Sequence, residues 1–275
     1  MDSRIDRSRQ AIATRLIDAY DSAKMIDPIT AEHREFDVEA AYDVLRRIEQ
    51  DRHARGWRPV GCKIGFTNQT LWGRYGVSGP MWARVWDRTV RVATDGVASI
   101  SLTPFVQPRI EPEVVFGLGA SPPASDDAEA ILASVEWMAA GFEIVQCVFP
   151  GWRFTAADCT AAFGLHGALV VGTPVAVNAR DRAAIAERLA TFTATLSRDG
   201  SMVEQGSGAN VLGSPALALG HLARIAHGQP QLAAPKRGEV VTTGTLTDAR
   251  PVKPGERWSS DYGALGIEGL SVEFT

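Results

Sequence analysis

From Trp57 to Thr275, short apolar runs rich in Val, Ile, Phe and Trp alternate with glycine and proline turns. That texture demands a β-rich core. Candidate strands are 60–66, 89–92, 109–118, 141–148, 165–171, 240–243, 257–262 and 270–274. Segments 191–197 and 202–204 flank Arg198-Asp199-Gly200, and the Asp-Gly pair predicts a hairpin there. Two helical stretches interrupt the strands, at 126–139 and 215–227, the second opened by Ser214 as N-cap and Pro215 in the first turn. Before Trp57 the period changes. Ile5, Ile12, Leu16 and Tyr20 recur at helical spacing, and a second helix is expected from Asp37, as N-cap, to Gly56. The pattern predicts an α+β fold in one domain over 1–275, with a helical N-terminal section (1–56) before a β-rich core (57–275).

An apolar fraction of 45% over 275 residues is enough for a sizeable core. With 28 basic against 32 acidic side chains and no basic cluster, nucleic acid is not an expected partner. No apolar run approaches the ~20 residues of a membrane span, and the opening MDSRIDRSRQ is too charged for a signal peptide. Three cysteines, Cys62, Cys147 and Cys159, each lie in an apolar run and read as reduced thiols of a cytoplasmic protein.

Four charges stand where a strand should be apolar: Lys63 in Gly61–Phe66, Glu111 and Glu113 in Ile110–Phe116, and Glu143 in Gly141–Val145. Side chains two apart on a strand share a face, so Glu111 and Glu113 point the same way. Two readings are open. The pair can lie on the solvent face of an edge strand marked by Pro112. Alternatively, three buried carboxylates need a positive partner, and an all-oxygen set favours Mg²⁺ or Mn²⁺. His166 reads as a satisfied core histidine opening an apolar strand near a pocket. The tryptophans 57, 72, 82, 86 and 152 read as core and pocket wall. There is no G-x-S-x-G elbow, P-loop or H-E-x-x-H, and Gly206-Ser207-Gly208 is read as a turn.

Gly61-Cys62-Lys63-Ile64-Gly65-Phe66-Thr67-Asn68, Ile110-Glu111-Pro112-Glu113, Phe142-Glu143-Ile144-Val145 followed by Trp152, and Val240-Val241-Thr242-Thr243-Gly244-Thr245-Leu246 stand in a specific order. In these residues the chain resembles the fumarylacetoacetate hydrolase superfamily, in its 2-keto-4-pentenoate hydratase and 4-oxalocrotonate decarboxylase branch. The resemblance implies a mixed β-roll or sandwich core and a homo-oligomer. It also implies Mg²⁺ or Mn²⁺ held by Glu111, Glu113 and Glu143, with Lys63 as catalytic lysine. Trp152, Phe163, His166, Thr243 and Thr245 are the expected substrate-binding residues. The implied activity is a metal-dependent lyase of the hydratase kind, acting on an unsaturated 2-oxo or 2-hydroxydienoic acid through a metal-chelated dienolate.

A decarboxylase or carbon–carbon hydrolase at the same site is the alternative, although no His–Glu pair to activate water is visible in the motifs. A non-catalytic partner subunit or small-acid binding protein is the alternative of another class. Desolvation is expected to lower the Lys63 pKa. Two departures from the branch stand out. Ala162-Phe163 replaces its usual Asp-Asn, and Gln146-Cys147 replaces its Asp-Ser. With those polar groups gone, a less polar substrate tail is expected.

Overall fold

The computed structural model describes residues 3–275. Three helices come first, α1 (Ser3–Asp21), α2 (Ile29–Glu32) and α3 (Val38–Ala54). As expected, the Asp37 side chain caps α3, accepting from Ala40 N at 2.8 Å. The central stretch holds β1 (Pro59–Gly65), α4 (Trp72–Tyr75), β2 (Met81–Trp86), β3 (Val90–Val92), β4 (Val97–Ile100) and β5 (Arg109–Leu118). It continues with α5 (Ala128–Leu132), β6 (Val135–Val145), α6 (Ala156–Ala161), β7 (His166–Val171) and β8 (Val175–Ala176). The last part contains α7 (Arg182–Thr191), β9 (Thr193–Arg198), β10 (Ser201–Ser207), α8 (Pro215–His227), β11 (Val240–Thr242), β12 (Arg250–Pro251), β13 (Arg257–Asp261) and β14 (Leu270–Phe274).

Nine strands form one mixed sheet in the order β2-β1-β11-β5-β6-β7-β3, with β12 against β5 and β8 against β6; five more form a second sheet, β10-β9-β13-β14-β4. Leu16 and Ile17 of α1, Val44 and Ile48 of α3, Ile64, Phe116 and Phe142 of the large sheet, and Trp258 and Phe274 of the small one are buried in one continuous core. The sheets are joined at a point that matters below. The buried Tyr262 hydroxyl donates to Glu113 O at 2.8 Å and Gly141 O at 3.1 Å, bridging β5 and β6. Among the described residues no helix is long and apolar enough to cross a membrane.

Two expectations need correction. Residues 126–139 are not one helix: α5 stops at Leu132 and β6 begins at Val135. Ala, Glu and Met in this stretch favour helix, but Trp137 and Met138 pair with Gly117 and Phe116 across a ten-residue strand, and that long-range ladder overrides local propensity. Nor is β5 an edge strand. It runs between β6 on one side and β11 and β12 on the other. Pro112 is tolerated there because its carbonyl accepts from Leu246 N at 2.9 Å, in the loop between β11 and β12. The missing N–H faces that loop side too, so no bond to β6 is lost.

Candidate metal centre

Register brings the carboxylates together. Glu111 pairs directly with Glu143 across β5 and β6, and Glu113 pairs with Gly141. Directly opposed residues share a face, so all three carboxylates converge, with one oxygen of each within 4.8 Å of the others. Lys63 joins them from β1, opposite Thr242 of β11, which in turn faces Val115 of β5. Glu113, Glu143 and Lys63 are buried, while Glu111 is partly exposed at the mouth.

Like charges in one apolar niche are unstable unless each is answered. Glu143 is held on both sides: His166 Nδ1 donates to Oε1 at 2.8 Å, and Lys63 Nζ lies 3.1 Å from Oε2. Burial works against its charge, yet Lys63 and then His166 outweigh it and hold the carboxyl down at about 2. Burial first, then Glu143, raise the Glu111 carboxyl to about 7 against the pull of Lys63 and Arg109. Glu113 is pushed well above the carboxylate range by burial and by Glu143 and Glu111. Its Oε2 accepts from Gly244 N at 2.7 Å and from the Thr242 hydroxyl, while Oε1 has no hydrogen-bond partner among the described residues. Gly244 can do this because it sits at φ +101° and because a Cβ there would lie 1.8 Å from Thr67 Oγ1.

Lys63 departs from expectation. Burial does act to lower its pKa, but Glu143, Glu111 and Glu113 outweigh it, and the ammonium is held charged. With all three carboxylates ionised, three negative charges against one positive leave two in excess, the charge of one divalent cation. The orphaned Glu113 oxygen, the all-oxygen donor set and this charge count fit Mg²⁺ or Mn²⁺.

A pocket opens over Lys63, Glu111 and Glu113, walled by Phe66, Tyr75, Met81, Trp152 and Phe154. Trp152 and Thr245 line it, and the Thr245 hydroxyl donates to Thr247 O at 2.8 Å within its own turn. Three expected substrate contacts lie elsewhere. The Thr243 hydroxyl donates to Val114 O at 2.8 Å; strand parity gives Thr242 the side facing Glu113. Phe163 and His166 line a different cavity, while Gly164 and Leu165 between them face this pocket. Positive φ at Phe163 (56°), Gly164 (58°) and Leu165 (63°) breaks the alternation there. Tyr75, Phe154, Thr67 and Thr242 were not singled out from sequence. Only Thr242 had a usable signal, the parity of β11.

No family model matches this chain. It is 31% identical over 264 residues to a 2-hydroxyhexa-2,4-dienoate hydratase of Comamonas testosteroni, covering 95% of each chain. The chain belongs to the branch formed by the 2-hydroxydienoate and 2-keto-4-pentenoate hydratases and the 4-oxalocrotonate decarboxylases. A second member of that branch, a 4-oxalocrotonate decarboxylase of Pseudomonas sp., is also 31% identical, over 95% of this chain and 96% of its own. The solved 4-oxalocrotonate decarboxylase of Pseudomonas putida G7, complexed with magnesium and adipate, superposes with a TM-score of 0.87 over 98% of both chains. At 23% identity it shows that the fold is that of the branch.

Proposed function

We propose that the chain is a metal-dependent lyase that hydrates an unsaturated 2-oxo or 2-hydroxydienoic acid, as a single-domain subunit of a cytoplasmic homo-oligomer. The observation that carries this reading is the convergence of Glu111, Glu113, Glu143 and Lys63 at the floor of an aromatic pocket. Its three cysteines are free and buried, in keeping with a reducing compartment. Glu111, Glu113 and Glu143 would hold Mg²⁺ or Mn²⁺. When bound, the cation supplies positive charge that stabilises negative charge developing on the 2-oxygen of the substrate.

The chain's own residues do the rest. Glu143 fixes the Lys63 ammonium in place, so that Nζ can deliver a proton to the far carbon of the diene and recover one from the 2-hydroxyl as that group becomes a ketone. Water then adds across the enone, its oxygen to the carbon β to the ketone and its proton to the α carbon. Phe66, Tyr75, Trp152 and Phe154 exclude bulk water from the reacting carbons and hold the flat substrate.

Hydration is favoured over decarboxylation by the pocket wall. That wall is mainly aromatic, and the nearby Arg109 guanidinium is engaged, donating to the Tyr75 hydroxyl at 3.1 Å and lying 4.0 Å from the Trp152 ring centroid. His166 and Glu143 do form the His–Glu pair not visible from sequence, but Glu143 belongs to the carboxylate cluster. The test is to incubate the chain with 2-hydroxypenta-2,4-dienoate and Mg²⁺ and follow loss of the diene absorbance. Metal-dependent formation of the hydrated 2-oxo acid is expected. No turnover and no solvent-proton exchange with any 2-hydroxydienoate in the presence of metal would overturn the reading.

A further inference from the structure

A second cavity, of about 590 Å³, lies behind the wall that carries His166. It shares no lining residue with the Lys63 pocket. The partition is the kinked segment 163–166: Gly164 and Leu165 face the lysine, Phe163 and His166 face the second cavity. Its volume falls within the range of small-molecule sites, roughly 300–1,000 Å³.

The charge on its walls is lopsided. Arg52, Arg55, Arg88 and Arg91 line it, against a single carboxylate, Asp21. Asp21 is already engaged, accepting from Arg52 at 2.7 and 3.0 Å and from Arg55 at 2.9 Å. Arg88 and Arg91 reach no carboxylate among the described residues. Arg88 Nη2 donates to Arg55 O at 3.4 Å, and Arg91 Nη1 to Arg88 O and Val90 O at 3.0 and 2.9 Å. The Arg88 guanidinium also lies 5.1 Å from the Trp57 ring centroid, with Arg52 over the same ring at 4.4 Å. Each guanidinium has five donors, so most of those on Arg88 and Arg91 remain available, on planar groups tied back to the backbone. Uncompensated positive charge in a concave wall focuses its field on the cavity.

The remaining wall is aromatic and apolar, formed by Trp57, Trp86, Phe105 and Phe163, with Trp57 and Trp86 set edge to face at 82°, and the buried Gln146 and His166 supply polar edges. We propose that this cavity is a second small-molecule site, one that takes a flat, unsaturated monocarboxylate. The carboxylate pairs with the free donors of the Arg88 and Arg91 guanidiniums, each able to take a planar acceptor with two parallel bonds, and the apolar body lies against the aromatic side chains. The assignment does not rest on the lyase reading: none of the residues that would hold the metal and none that line its pocket takes part. His166, on the shared wall, links the two through Glu143.

Binding of trans-cinnamate to the full chain, with and without Mg²⁺, tests it by calorimetry and by quenching of Trp57 and Trp86 fluorescence. Saturable binding is expected in wild type and in Lys63→Ala. It should be roughly tenfold to a hundredfold weaker in Arg88→Gln/Arg91→Gln, the loss of charge-assisted hydrogen bonds. Circular dichroism checks that this exposed pair of changes leaves the fold intact. Equal affinity for uncharged cinnamamide would overturn the carboxylate assignment. Binding lost in Lys63→Ala, or unchanged in the arginine variant, would place cinnamate elsewhere and overturn the site. No binding in wild type, with an assembly that dissociates in the arginine variant by sedimentation velocity, would make the cavity a contact between copies of the chain.

Discussion

His166 and Lys63 hold opposite oxygens of Glu143, the ring from 2.8 Å and the ammonium from 3.1 Å. The ring is itself fixed, with Nε2 2.9 Å from the Thr89 hydroxyl. The carboxylate therefore has its orientation set from the side away from the pocket. Removing such an outer partner typically weakens metal binding about 10- to 100-fold. His166→Ala should lower Mn²⁺ affinity by that factor in an electron paramagnetic resonance titration. Unchanged affinity would show that Glu143 needs no support from the ring.

The carboxylates themselves should be indispensable to the metal. Glu111→Gln and Glu143→Gln should each abolish calorimetric Mg²⁺ binding, but their metal-free stabilities should differ in sign. Glu111→Gln relieves repulsion with its cross-strand neighbour and should raise the melting temperature at pH 8. Glu143→Gln leaves Lys63 and His166 without their counter-charge and should lower it.

Lys63→Ala should keep metal and oxalate binding while turnover falls by about 10²–10⁴-fold, the usual worth of one acid–base group. Exchange of the substrate's carbon-bound protons with solvent, followed by nuclear magnetic resonance, should stop as well. Exchange at the wild-type rate would mean that another group moves the proton.

Glu49 gives a pH signature outside the site. Burial, with Glu239 adding to it, raises this carboxyl to about 7 even though Arg84 opposes the shift. The folded chain thus binds a proton that the unfolded chain has released, and this contribution to stability is present below about pH 4.5 and lost as pH rises through about 7. Glu49→Gln should be close to neutral at pH 5 and should stabilise the chain on the order of 1–3 kcal/mol at pH 8. Equal effects in denaturant titrations at the two pH values would contradict the assigned shift.

The pocket wall sets substrate preference. Specificity constants for 2-oxo-alkenoates with methyl, phenyl and carboxylate tails should favour the neutral tails by roughly ten- to a hundredfold. Equal or better use of the carboxylate tail would remove the argument for hydration over decarboxylation. The residues responsible are Tyr75 and Phe154, whose rings stack at 5.4 Å, together with Phe66 and Trp152. Phe163 is not among them: it packs on Tyr20 at 4.1 Å between ring centroids.

Sequence was most informative where local chemistry and long-range pairing agree. The bounds of β5 and α8, the Asp199-Gly200 hairpin and the Asp37 cap were all legible. The glutamates stood out because a charge in an apolar strand has few cheap explanations. β2 was missed because Met81–Trp86 is buried on both faces and shows no alternation. Thr243, expected from the resemblance, stands one residue from Thr242, and one residue on a strand exchanges the two faces. That Phe163 and His166 line a different cavity from Lys63 was not legible, because left-handed backbone at 163–165 has no signature in apolar periodicity.

The strand that seats Thr242 follows β1 and β5 by a long stretch of sequence, yet it lies between them. As the polypeptide leaves the ribosome, Lys63 and the glutamates therefore belong to two halves of a sheet with no seam between them. The seam closes only once residues 240–244 have emerged, when β11 pairs in parallel with β1 and Gly244 reaches Glu113. Contacts this distant in sequence form late and slowly. Until then the three carboxylates share the β5–β6 ladder without the donors that orient Glu113 and without Lys63 fixed beside them.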